Sequence, residues 1–71
     1  MEIPIENTDY YFIKPLYHFG QKLRTPDYVG IVNGMKYIPG DYEHWEYWVM
    51  QVTPEGVGEG SVYPELELQP G

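Results

Sequence analysis

Asp41, Glu43, His44 and Glu46 place three carboxylates and an imidazole within six residues. Such groups ligate divalent cations, but calcium loops and zinc sites need their ligands at set offsets that this run lacks. A solvated acidic loop accounts for it more simply, and no metal or cofactor is expected. His18 sits between Tyr17 and Phe19 with no nucleophile partner in evidence, which suits a packed or surface imidazole better than a general base. Glu65 and Glu67, at i and i+2, would share one face of a strand. Paired carboxylates perform acid–base work when buried together, whereas at an exposed edge they keep a strand from pairing with strangers. Pro54 to Gly60 has turn character but no Lys and no following helix, so it is no phosphate loop. These residues describe a binding or structural protein, not an enzyme.

The aromatic side chains carry more. Trp45 and Tyr47 would lie on one face of a strand and Trp48, Met50 and Val52 on the other, because successive strand side chains alternate. With Tyr42 and Tyr63, the first pair could form a shallow platform for a partner protein, and Glu43 and Glu46 would steer a basic one toward it. The plainer account is that Tyr10, Tyr11 and Phe12 of the N-terminal arm cover that face. Both faces being apolar, their assignment to core or surface is open. An aromatic cage for a methylated cation is a narrower version of the platform.

The 71 residues make one domain, near the lower limit for folding without staples, and the absence of Cys removes disulfides and thiolate sites. Four basic against eleven acidic side chains give a net charge of −7. Binding a phosphate backbone needs Lys and Arg, and only Lys14, Lys22, Arg24 and Lys36 are on offer, so nucleic acid and anionic membranes are disfavoured partners. The first residues have neither the basic flank nor the apolar core of a signal peptide, and no apolar run is long enough for a membrane span. A cytoplasmic location is the expectation.

Seven prolines leave pieces of about 8–12 residues between them, the length of strand-plus-turn units. The chain therefore reads as all-β, with residues 1–9 a lead-in and 10–71 a single domain. Candidate strands are Tyr10 to Lys14, Leu16 to Arg24 with a bend at Gly20, Tyr28 to Ile38, Trp45 to Thr53, and Ser61 to Leu68. Thr25-Pro26-Asp27 marks a turn. Asn33-Gly34 is a strong hairpin signal, yet a turn there would leave a very short return strand, so a bulge at Gly34 is preferred. Pro54 to Gly60 is a loop or tight hairpin, and a short helical turn is expected around Tyr63 to Glu65, before Leu66 and Leu68 rejoin the sheet.

In that order the segments resemble a small SH3-like barrel of the Tudor or KOW kind, with about five strands and a helical turn near the C-terminus. The residues that carry the resemblance are Gly20-Gln21-Lys22-Leu23-Arg24, then Gly30-Ile31-Val32-Asn33-Gly34, the aromatic strand Tyr47 to Val52, and Tyr63-Pro64-Glu65-Leu66-Glu67-Leu68. The chain is also similar to short proteins of filamentous cyanobacteria, a likeness that implies no activity. It departs from peptide-binding SH3 domains. Pro15-Leu16-Tyr17-His18-Phe19 echoes their A-L-Y-D-Y motif but abuts Gly20 with no long loop between. The tryptophan doublet is split, and the closing P-x-x-Y is absent. The resemblance implies the barrel and not proline-peptide binding, because small barrels host unrelated functions. The expected function is a protein–protein interaction module. Self-association, as a structural subunit or homodimer, is the alternative, and a nucleic-acid module of the KOW or Tudor type comes third.

Overall fold

The computed structural model of the chain describes residues 13–71. The lead-in over 1–9, and Tyr10, Tyr11 and Phe12 of the first candidate strand, lie outside the described residues. Ile13 and Lys14, the rest of that candidate, are not in a strand.

Five strands form one antiparallel sheet: β1 Lys22–Arg24, β2 Val29–Ile38, β3 His44–Thr53, β4 Gly56–Pro64 and β5 Gln69–Pro70. Their order across the sheet is β4-β3-β2-β1-β5, and the one helical element among the described residues is a 3-10 turn, Glu65–Glu67, between β4 and β5. The fold is all-β. Proline sets the strand ends, since a residue without an N–H cannot extend a ladder. β2 stops before Pro39, β3 before Pro54, and β4 ends on Pro64.

The turns follow from local chemistry. Thr25 Oγ1 accepts the amides of Asp27 at 2.9 Å and Tyr28 at 2.8 Å, and the Thr25 amide donates to the Tyr28 carbonyl at 2.7 Å. That side-chain turn folds β1 back on β2. The β2–β3 register shifts between Val32 and Gly34, so Asn33 is the extra residue of a bulge and not half of a hairpin turn. Thr53 pairs with Gly56, which makes Pro54-Glu55 a two-residue hairpin connection and carries β4 through most of the stretch read as a loop. Gly56 has φ +129°, a conformation that favours glycine.

Three expectations need correction. Only the last three residues of Leu16 to Arg24 are strand. The earlier part turns at Gly20, φ +83°, and the amides of Leu16 and Tyr17 are taken by the Tyr47 hydroxyl rather than by a neighbouring strand. The helical turn begins at Glu65, two residues later than expected, with Pro64 still extended at its start. That turn breaks the period-two pattern, so Leu68 reaches the core while Leu66 is thrown outward.

The core comprises Tyr17, Leu23, Val32, Tyr47, Val49, Tyr63 and Leu68, with Tyr28, Met35 and Trp45 packed against it. Tyrosines are bulky enough to fill so small an interior, but each hydroxyl then needs a partner. Tyr17 donates to the Leu68 carbonyl at 3.1 Å, Tyr63 to Asp27 Oδ2 at 2.9 Å, and Tyr28 to the Val49 carbonyl at 2.8 Å. Tyr47 donates to Glu65 Oε1 at 2.5 Å. The rings meet edge-on, Tyr17 with Tyr47 at 5.4 Å and Tyr28 with Tyr63 at 6.0 Å. Among the described residues no buried side-chain nitrogen or oxygen lacks a partner.

Candidate protein-binding cleft

The two faces of β3 separate sharply, and this decides where a site can be. Tyr47 and Val49 are fully buried and Trp45 packs on the core, whereas Trp48 and Val52 are exposed. Tyr47 and Tyr63, expected as open anchors, face each other in register inside the fold. The cause lies in their neighbours. Tyr47 has Met35 and Tyr63 beside it, while Trp48 lies between Gly34 and Val62, and a glycine supplies no side chain to enclose it. Trp45 is half-buried, its ring against Tyr37 at 5.6 Å and its indole N–H donating to the Ile13 carbonyl at 2.7 Å. Ile13 thus reaches this ring, while Tyr10, Tyr11 and Phe12, the residues expected to cover it, lie outside the described residues.

Two expected site residues do come together. The 39–43 connection between β2 and β3, turning at Gly40 with φ +123°, lies at the same end of the sheet as the 3-10 turn, because Glu46 pairs with Pro64. Between them is a cleft of about 410 Å³, lined by Tyr42, Glu43, His44, Pro64, Glu65, Leu66 and Glu67. Tyr42 is 88% exposed and Leu66 96% exposed, so each presents nearly its whole side chain to solvent. Glu46, the remaining expected residue, is absent from the lining and binds His44 instead.

The charged groups are held in defined positions. Glu65 Oε1 accepts the Tyr47 hydroxyl and also the Leu16 amide at 3.1 Å. The Tyr37 hydroxyl donates to Glu43, which anchors the loop carboxylate and raises the Tyr37 pKa. His44 has the Tyr42 carbonyl 2.8 Å from Nδ1 and Glu46 Oε2 3.1 Å from Nε2. An acceptor at each nitrogen favours the doubly protonated ring, and the His44 pKa is raised, first by the Tyr42 carbonyl and then by Glu46. Burial, followed by the bond to Glu65, pushes Tyr47 up to about 12. Tyr63 is likewise pushed up to about 12, chiefly by burial.

The result is a largely apolar groove with three acidic residues, Glu43, Glu65 and Glu67, among those that line it, beside the exposed Tyr42 and Leu66. Such a groove attracts cations and offers apolar contact area. Among the described residues no group of three or more His, Asp or Glu side chains is placed to hold a metal ion. Nor is any helix there long and apolar enough to cross a membrane.

Sequence reasoning does not single out Leu66 as a site residue, and it weighs Glu65 and Glu67 only as paired carboxylates for acid–base work or as charges that protect a strand edge. Read with a strand's alternation, E-L-E points Leu66 inward; the visible signal against this was Pro64, a residue suited to opening a helical turn. No family model matches the chain, and no curated protein or solved structure matches it either.

Proposed function

We propose that this chain is a non-catalytic, cytoplasmic protein-interaction domain of SH3-like build, and that it receives a basic, partly apolar segment of a partner protein in the cleft beside the 3-10 turn. The observation that carries the reading is the pairing of two almost fully exposed apolar side chains, Tyr42 and Leu66, with carboxylates around one groove. Large exposed apolar groups beside fixed charges are what interfaces use as anchors and steering groups. The strand order β4-β3-β2-β1-β5 with a 3-10 turn ahead of β5 supports the SH3-like part of the reading. The net charge of −7 favours a basic protein over nucleic acid.

The test is titration of isotope-labelled protein with a panel of short peptides that combine Arg or Lys with aromatic or aliphatic residues. Amide shifts confined to 41–44 and 64–67 are the expected result. Tyr42→Ala with Leu66→Ala should weaken binding by about 2 kcal/mol or more without changing the fold, since neither side chain is in the core. Shifts elsewhere, or full affinity in the double variant, would remove the cleft as the site.

A further inference from the structure

We infer that the outer face of the sheet receives the cleft end of a second copy of this chain, so that copies associate head to tail. The inference rests on the cleft being a protein-binding surface, and it names the partner. The outer face is apolar at its centre. Trp48, Val52, Val57 and Val62 are exposed there, with Met50 and Ile31 half-buried among them. Register makes these residues contiguous: Trp48 stands opposite Val62, Val52 opposite Val57, and Met50 between Ile31 and Gly60. A Cβ on Gly60 would come within 3.0 Å of Trp48 Nε1, so the indole reaches over β4 where no side chain obstructs it. Exposed apolar side chains in contiguous rows are the usual mark of an interaction site.

This face also gathers the few cations of the chain. Lys22 and Arg24 flank the buried Leu23 and so point away from the core, Lys22 opposite Ile31 and Arg24 opposite Val29. Lys36 lies on the same side, because Met35 before it stands opposite the buried Tyr47 while Gly34 stands opposite Trp48. Three of the four basic side chains in a chain of net charge −7 therefore border one apolar surface. Among the described residues Glu46 is the one carboxylate that register sets beside them, and its Oε2 is 3.1 Å from His44 Nε2. Such a surface selects an acidic partner with apolar anchors.

The chain carries that chemistry at its own cleft end. Tyr42 and Leu66 stand almost clear of the fold there, Tyr42 between Asp41 and Glu43 and Leu66 between Glu65 and Glu67. No Lys or Arg falls in 41–44 or 64–67. The two surfaces are also spaced along the strands. The cleft adjoins His44, whereas Arg24, Val29, Val52 and Val57 lie eight residues of β3 away, about 26 Å. One copy can therefore give its cleft end while receiving another on its outer face.

Like surfaces do not fit each other. Two outer faces would bring cations together, and two cleft ends would bring carboxylates together, both of which are repulsive. The unlike pair matches opposite charges around apolar side chains. Because it joins different surfaces, the contact continues from copy to copy and does not close on itself.

Sedimentation of the full chain from micromolar to millimolar concentration tests the proposal. Wild type should grow through dimers to longer species, and raising the salt from about 0.05 to 0.5 M should weaken the association. Trp48→Ala impairs the receiving face, and Tyr42→Ala with Leu66→Ala impairs the cleft end. Each variant alone should associate about tenfold more weakly or less. Mixed, they should form a one-to-one dimer and nothing longer, since one intact end meets one intact face. K22E/R24E should behave as Trp48→Ala does. All these positions lie outside the core, and unchanged circular dichroism confirms folding. A wild type that stays monomeric overturns the proposal, and so does a mixture that fails to pair. An acidic peptide or an oligonucleotide that binds the outer face of a monomeric wild type overturns it in favour of that occupant. Trp48→Ala leaves the cleft intact, so basic peptides that shift 41–44 and 64–67 in this variant uphold the cleft even where self-association fails.

Discussion

Trp48 and Tyr47 are neighbours in the chain and opposites in the structure. Both are large aromatics in the middle of β3, yet Tyr47 is fully buried with its hydroxyl shared among Glu65 and two amides, while Trp48 is 40% exposed above two glycines. The difference owes little to hydrophobicity, since tryptophan is the larger apolar surface. It comes from what the neighbouring strands supply. On the inner side, Met35, Tyr63 and Tyr17 close around the ring. On the outer side, Gly34 and Gly60 give the ring a floor but no walls. A β strand with two apolar faces thus becomes half core and half exposed surface according to its partners.

The largest expected effect that tests this contrast is on stability. Tyr47→Ala should cost about 3–5 kcal/mol. A core of this size supplies roughly that much net stability, so the variant should be largely unfolded by circular dichroism at room temperature. Trp48→Ala should cost no more than about 1 kcal/mol in urea denaturation. Equal losses at the two positions would erase the distinction between the faces.

Alkaline pH should act on the inner side alone. Tyr47 and Tyr63 are held to about 12 in the fold, against about 10 for an unfolded tyrosine. The folded state therefore keeps protons that the unfolded chain has released. This contribution to stability is complete below about pH 10 and is lost as pH climbs toward 12. Urea midpoints should fall over that window, and Tyr47→Phe should flatten the fall while lowering stability at neutral pH through the polar groups it leaves short of a partner. A midpoint that does not move between pH 10 and 12 would contradict the burial of these hydroxyls.

The smallest effect belongs to the outer parity of β3, where His44 and Glu46 precede Trp48. The His44 pKa is raised above 6.5 by the Tyr42 carbonyl and Glu46. Its imidazole signals should titrate above that value, and Glu46→Gln should bring the midpoint down. The associated stability is present at low pH and fades as pH rises through the folded pKa. A midpoint unmoved by Glu46→Gln would show that the pair does not form in solution.

Much of the architecture was legible in the residues. Seven prolines exclude long helices and mark where β2, β3 and β4 end; Thr25-Pro26-Asp27 is a turn by its own chemistry; and Gly34 reads as a bulge once the length of the return strand is considered. The acidic composition was likewise open to inspection, and Tyr42 and Glu43 stand out in the sequence, though nothing there joins them to the 3-10 turn. What could not be read locally was the parity of β3. Trp45, Tyr47 and Val49 are no more apolar than Trp48, Met50 and Val52, so alternation alone does not choose between them, and a one-residue slip exchanges the two sets. The choice depends on cross-strand register, on Tyr63 and Met35 meeting Tyr47 while Gly34 and Gly60 meet Trp48 and Met50. Leu66 escaped for a related reason, because whether it points in or out depends on a 3-10 turn between sheet partners. Composition and proline spacing, which act within a few residues, determined that this chain is a small acidic β fold; pairing between distant strands, which no local rule can supply, decided which aromatics it hides and which it offers.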